Sequence, residues 1–379
     1  MQFEINTSIN SISEEQWNKL NTQNFPFTNY RFLVALENSG VASKKTGWEA
    51  QHLLVLDKGN IIAAMPSYLK QHSYGEYVFD FQWAEAYQHT GFDYYPKLVS
   101  AIPFSPVTGP RLLIHPDYNQ TDIIAFIIEQ TKNIISNAAY SSWHCLFLNK
   151  EQSDLFSAHE LVQRRAVHFK WFNKGYSSFN DFLSTCNSRH RKNIRKERRK
   201  IEEQGIQLRQ IEGSDISDNE WQHFYQFYQA TYLKRSGHGG YLNPEFFIQL
   251  KCHLKEHIVL ILATKNEHML GAALYFKDEK SLYGRYWGSL SEDEFLHFEA
   301  CYYQGIEYCI RHNLSSFDPG VQGEHKLQRG FEPYFTYSNH WLSHPEFHHA
   351  IKQFLIDESP FIEQYFSYTQ SRLPFKKNE

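Results

Sequence analysis

The 379-residue sequence is 41% hydrophobic and 21% charged, with a formal net charge of −4; such a chain has ample core for two domains or one large one. That charge implies no nucleic-acid partner globally, so any such contact needs a local basic patch. Five cysteines without CxxC spacing, a polar and acidic start, and no run of about eighteen apolar residues argue against a disulfide framework, a signal peptide or a membrane span; the expected location is the cytoplasm.

Residues 1–9 suit an edge strand, and Ser13 is a natural N-cap, with Gln16 at the position of a capping box. Leu53–Asp57, the Lys58-Gly59-Asn60 turn and Ile61–Leu69 predict a hairpin. Tyr77–Trp83 is expected as a strand, followed by a helical segment near Tyr95. The Pro-rich loop 103–110 leads to a strand at Arg111–Ile114, an amphipathic helix at Ile123–Ala138 and a buried strand at Trp143–Leu148. A second succession follows: a strand at His168–Phe172, a short helix at Ser178–Ser184, and a basic helix over 189–203 ended by Gly205. Ile206–Ile211 is a strand, Glu220–Lys234 a helix, and residues 235–240 a glycine-rich loop. Three strands come next, at Ile258–Thr264, Met269–Phe276 and Leu282–Trp287. Aromatics are abundant (30 Phe, 24 Tyr, 8 Trp), first as core and second as material for clefts that hold sugars or bases.

The stretch Gly284–Pro333 organises the rest. After an acidic loop, Gly288–Glu294, a helix is expected from Phe295 to His312, and a short strand, Ser315–Phe317, delivers Asp318 into a glycine turn. Glu324, His325 and Lys326 follow on a short helix stopped at Gly330. A carboxylate, an amide, an imidazole and an ammonium thus gather at a strand end, where α/β folds place their chemistry. The tail over 344–373 reads as helical.

The blocks GRYWG, HFEACYYQGIEY and FDPGVQGEHKLQRGF, with FSPVTGPRLL and RHRKNIRKERRK upstream, resemble the FemAB-like N-acyltransferases of the peptidoglycan biosynthesis/recognition group, within the GNAT superfamily. The resemblance implies an α/β fold with mixed sheets: two GNAT-like acyltransferase domains in tandem, Fem-type, at 1–165 and 166–379. Three antiparallel strands, a helix and a parallel return strand are the GNAT order. Fem-type relatives transfer amino acids from aminoacyl-tRNA onto peptidoglycan precursors. The implied activity is therefore acyl or aminoacyl transfer to an amine, on a small molecule or cell-wall precursor, with no tightly bound cofactor. An acyl-CoA donor ranks second, because Gly288–Glu294 carries one glycine and three carboxylates where a pyrophosphate would sit. A non-catalytic module that recognises peptidoglycan precursors or RNA is the rival reading.

Within that frame His325 or Glu324 is the candidate general base toward the amine. Lys326 and the turn N–H groups are candidates for oxyanion stabilisation, with Asp318 beside them. Arg285, Tyr286, Trp287, Glu299, Gly320, Gln322 and Gly323 are expected to line the substrate site, with Glu299 able to pair with Arg285. Arg111 is a candidate anion contact where the Pro-rich loop meets an inter-domain cleft. The plain alternative has Asp318 and Glu324 capping the short helix and Lys326 paired with one of them, which accounts for fewer of these residues. Residues 189–200 hold eight Lys or Arg in twelve positions. Arg189, Arg191, Lys192, Arg195, Lys196 and Arg199 are candidates for binding an anion, tRNA included, while Arg198–Glu202 is the expected internal pair. His340, His344, His348 and His349 lack metal-site spacing, and Pro345 is expected to break the helix they need, so no metal is expected.

Overall fold

The computed structural model describes residues 1–321 and 323–376. In chain order come β1 (Gln2–Asn6), α1 (Glu14–Leu20), α2 (Tyr30–Asn38), β2 (Trp48–Ala50), β3 (His52–Asp57), β4 (Asn60–Met65), β5 (Tyr68–Lys70) and α3 (Phe81–His89). Next are β6 (Lys97–Ser100), β7 (Leu113–Ile114), α4 (Gln120–Asn137), β8 (Ser142–Leu148), α5 (Lys150–Ser157) and β9 (Val162–Phe172). Then follow α6 (Phe179–Thr185), α7 (Ser188–Glu203), β10 (Gln207–Glu212), α8 (Asp218–Ser236), α9 (Pro244–His253), β11 (Ile258–Lys265), β12 (His268–Lys277) and β13 (Ser281–Ser289). The chain ends with α10 (296–311), β14 (Ser316–Asp318), a 3-10 turn (Glu324–Arg329), β15 (Glu332–Leu342) and α11 (Pro345–Ser371).

Two compact units form. One holds Met1–Val167 and Phe335–Gln364, the other His168–Tyr334 and the chain from Tyr365 on. The single expected division near residue 165 is thus accompanied by two further crossings. In the first unit β1, β3, β4 and β7 make an antiparallel sheet. Strands β2, β5, β6, β8 and β15 follow one another in a second row, with β6 and β8 parallel. Helix α4 starts where Asn119 accepts from the N–H groups of Thr121 and Asp122. It lays Ile123, Ile124, Ile127 and Ile128 on Leu53, Val55, Ile62, Trp143 and Phe156.

The second unit runs β10-β11-β12-β13 antiparallel, then β14 parallel to β13, then the end of β9 antiparallel to β14. The first six residues of β11 are all buried, as an inner strand requires. A Ser217/Glu220 capping box opens α8, and Gly237 in the left-handed region closes it. This helix lies so close to β13 that a Cβ on Gly288 would stand 2.1 Å from the Phe227 carbonyl carbon. Close backbone approach is therefore what demands glycine at 288. Gly288→Ala is expected to destabilise the unit by about 1–3 kcal/mol, read as an earlier denaturation midpoint; an unchanged midpoint would refute the close-packing account.

Two sequence expectations fail here. Tyr77–Trp83 is not a strand: residues 71–80 form a loop, and Phe81 begins α3. The carboxylates of Glu76 and Asp80 draw that loop inward onto Lys97, an ion pair that no alternation pattern reveals. The helical segment expected near Tyr95 is absent: residues 92–96 are irregular and lead into β6. The expectation for Pro345 holds in that the four histidines share no helix: Pro345 stands at the first position of α11, with His340 on β15, His344 before the helix, and His348 and His349 on it. Among the described residues no cluster of metal-binding side chains occurs, and no helix is long and apolar enough to cross a membrane.

Candidate active site

The parallel pairing of β13 and β14 ends at Tyr283 opposite Asp318. Midway along β13, Arg285 reaches the end of β14. Its Nη1 and Nη2 stand 3.2 and 3.1 Å from the Asp318 carboxylate, and Nη1 also donates to the Gly284 carbonyl at 2.6 Å. The Gly320 N–H donates to Asp318 Oδ1 at 2.9 Å, and Lys326 Nζ donates to the Gly320 carbonyl at 2.5 Å. Burial pushes the Asp318 carboxyl up, but Arg285, Lys170 and the Gly320 N–H hold it at about 2. Lys326 is 1% exposed. Burial lowers its ammonium to about 8, with Asp318 opposing and Arg285 reinforcing the shift.

Two groups absent from the sequence reading belong to this assembly. His168 and Lys170 lie two apart on β9, hence on one face of the strand. Burial lowers His168 to about 4 and also lowers Lys170; in both cases Asp318 opposes. Three cations, Arg285, Lys170 and Lys326, therefore interact with one carboxylate. Nothing in their sequence neighbourhood links β9 to a site about 150 residues away; only the β9–β14 pairing does.

Helix α10 lies against His325 of the 3-10 turn. Residues 299–303 form a π turn, the kind of local widening that recurs at functional sites. Tyr302 Oη and His325 Nε2 are 2.8 Å apart, and the imidazole lies against Phe298 and Tyr302. Burial, then Arg329 and Lys326, lower His325, so it stays a neutral imidazole. A Cβ on Gly323, whose φ is +104°, would overlap the same ring at 2.2 Å. His297 is held neutral as well, pushed to about 3 by burial and by Arg235, His325 and Lys326.

The remaining expected site residues separate. Glu324 is exposed and accepts from Tyr365 Oη at 2.8 Å. Tyr286 is buried among Tyr228, Phe247 and Phe276 as core. Trp287 packs with Ile201, Ile206, Ala263 and Leu296. Gln322 lies outside the described residues. Arg111 is fully buried in the first unit, its guanidinium donating to the carbonyls of Leu146, Pro110 and Val107; burial lowers it to about 9. It ties the Pro-rich loop to β8 rather than presenting a cation to a ligand.

Glu299 does not pair with Arg285. Arg198 holds it in a fork, at 2.9 and 3.1 Å, and reaches Glu307 at 2.7 Å. The expected Arg198–Glu202 pair gives way to this one because Arg198 faces inward over the Phe179 ring. On the same side Glu197 accepts from Arg329 at 2.8 and 3.1 Å and also from Tyr303. Buried Ile194 and Ile201 complete the seat of α7. Its other side carries Arg189, Lys192, Arg195, Lys196 and Arg199, all exposed. Arg199 meets Glu203 at 3.3 Å, and Arg191 donates to the Cys186 carbonyl at 3.3 Å.

Antiparallel strands, a helix and a parallel return strand make a GNAT-type fold. The chain belongs to the FemAB_like family, described as peptidoglycan biosynthesis/recognition, which matches residues 8–377. Among solved structures, the C-terminal domain (DUF2156) assigned to a lysylphosphatidylglycerol synthetase of Agrobacterium fabrum is similar at 9% identity. It covers 89% of this chain and 94% of its own, with a TM-score of 0.54. FemX is similar at 12% identity, over 89% and 97% of the two chains, with a TM-score of 0.50. At such identities these likenesses speak to the fold. No curated protein matches by sequence.

Proposed function

We propose that this protein forms amide bonds, transferring an acyl or aminoacyl group to an amine borne by a cell-wall precursor or a small molecule. The carrying observation is the buried Arg285–Asp318–Lys326 group at the end of the parallel pair, walled by neutral His325. Attack on an ester needs a deprotonated amine and a stabilised oxyanion. His325 accepts the amine proton, with Tyr302 fixing its ring. Lys326, ammonium-charged at neutral pH, faces the developing oxyanion. Asp318 keeps Arg285 oriented and holds the Gly320 N–H, while the Gly320 carbonyl takes Lys326; Asp318 does not itself titrate near neutrality.

The donor in this reading is an aminoacyl-tRNA. Its support is the exposed cationic side of α7, whose Arg189, Lys192, Arg195 and Lys196 make no ion pair among the described residues. Like charges concentrated in this way suit a phosphate backbone. Changing these four residues to Gln is expected to weaken tRNA binding and to flatten its salt dependence by roughly 0.7–0.9 log units per lost phosphate contact. The melting temperature should stay level; RNA binding with an unaltered salt slope would remove α7 from the interface. The functional test offers labelled aminoacyl-tRNA or acyl-CoA, together with an extract of small amines and cell-wall precursors. Label in new amides from aminoacyl-tRNA, abolished by RNase, is the expected result. Label from acyl-CoA alone overturns the donor, and binding of precursor or RNA without turnover overturns the enzyme.

A further inference from the structure

The loop 71–80 in the first unit combines two costly features. Three aromatic side chains stand in water at its surface: Tyr74 is 61% exposed, Phe79 63% and Phe81, the next residue, 48%. Beneath them the backbone is fastened by buried charge. Lys97, with no exposed surface, holds Glu76 at 2.8 Å, Ser73 at 2.9 Å and also Asp80. Lys70 donates to the Tyr74 carbonyl at 3.1 Å while lying 3.6 Å above the Trp48 ring, and Arg164 donates to the Phe79 carbonyl at 2.7 Å. Burying three charges under a surface loop incurs a desolvation penalty. Leaving apolar rings in water incurs another. Together they describe a surface held ready for a ligand, since rigidity before binding lowers the entropy lost on association.

The geometry and charge of the face select the ligand. The Phe79 and Phe81 rings are stacked, 6.2 Å apart at 28°, with Tyr74 6.2 Å from Phe81 at 56°. Residues 71–92 contain no Lys or Arg, and the cations that hold the loop are already engaged, Lys97 with Glu76 and Asp80, Arg164 with Glu358 and Lys70 over the Trp48 ring, so the face is poorly suited to phosphate groups of RNA or an anionic bilayer. Gln71 and Gln82, both exposed and close in sequence to Tyr74 and Phe81, carry amides suited to hydroxyl pairs. We propose that Tyr74, Phe79 and Phe81 form a preset platform for a neutral saccharide, whose C–H faces pack on the rings while its hydroxyls meet these amides.

The probe is the β-1,4-linked tetramer of N-acetylglucosamine, titrated into the whole protein and followed by calorimetry. The expected result is saturable binding, weakened about tenfold or more by the combined Tyr74→Ala, Phe79→Ala and Phe81→Ala changes. Because these side chains are exposed, the melting temperature should stay level, and Phe79→Tyr should retain binding as a ring-preserving control. A parallel arm measures co-sedimentation with phosphatidylcholine vesicles. No saturable binding of the tetramer overturns the proposal, as does binding that the triple change leaves intact. Vesicle association lost in the triple variant, without saccharide binding, reassigns the rings to a lipid surface and overturns it equally.

Discussion

Lys326→Met is expected to lower kcat by roughly 10²–10³-fold while leaving substrate binding measurable, the loss typical of one oxyanion donor. Methionine keeps the length and removes the charge from a side chain that is 1% exposed. The pH profile identifies the role. Burial lowers Lys326 from 10.5 to about 8, so an oxyanion-stabilising ammonium carries a rate that falls as pH rises through about 8. Lys326→Arg keeps the charge and should abolish that falling limb. Unfolding cannot mimic it. With the folded value below the unfolded one, the unfolded chain binds more protons between about 8 and 10.5, so this group makes the fold more stable as pH rises through that window. A limb that rises through about 8, and vanishes in the Met variant, would make Lys326 the base and overturn the assignment to His325.

How far the sequence carries depends on whether the physics is local. Helix α7 and its limits were legible because charge, the Ile194/Ile201 pair and Gly205 act within a few residues. The order of strands from β11 to β14 was legible from runs of apolar residues separated by turns. Helices α2, α5 and α9 are not among the elements expected from the sequence, although Asn29, Asn149 and Asn243 each cap one, the last with Pro244 at the first position. Those signals were present and simply short. The partners of Glu299, Arg285 and Glu197 were not legible, since each ion pair joins elements that only the tertiary fold brings together. The sequence offers Arg285 as a partner for Glu299 across the sheet. The π turn instead directs Glu299 to Arg198, about a hundred residues upstream, and leaves Arg285 to Asp318. His168 and Lys170 were hidden for the same reason.

Arg198→Ala is expected to be the most damaging of the α7 substitutions, costing about 3–5 kcal/mol and lowering the apparent melting temperature by on the order of 10 °C. Arg198 is the cation of Glu299, a carboxylate that is 3% exposed. Removing it leaves that charge with the Gln304 amide at 2.8 Å as its remaining hydrogen-bond donor. The exposed Arg195 and Lys196, on the same helix, should tolerate alanine within about 0.5 kcal/mol, so helix propensity is not what is being measured. A second change supplies the test. Glu299→Gln in the Arg198→Ala background removes the stranded charge, and should recover about half of the loss; the two changes are coupled through one contact and will not add. The pH dependence has a fixed sign too. Burial already raises the Glu299 carboxyl above its usual value with Arg198 in place, and without the guanidinium it rises further. The folded variant then binds more protons than the unfolded chain, so its deficit shrinks on acidification and grows toward neutrality. A deficit independent of pH and untouched by Glu299→Gln would mean that Arg198 holds α7 through Phe179 and Glu307 instead.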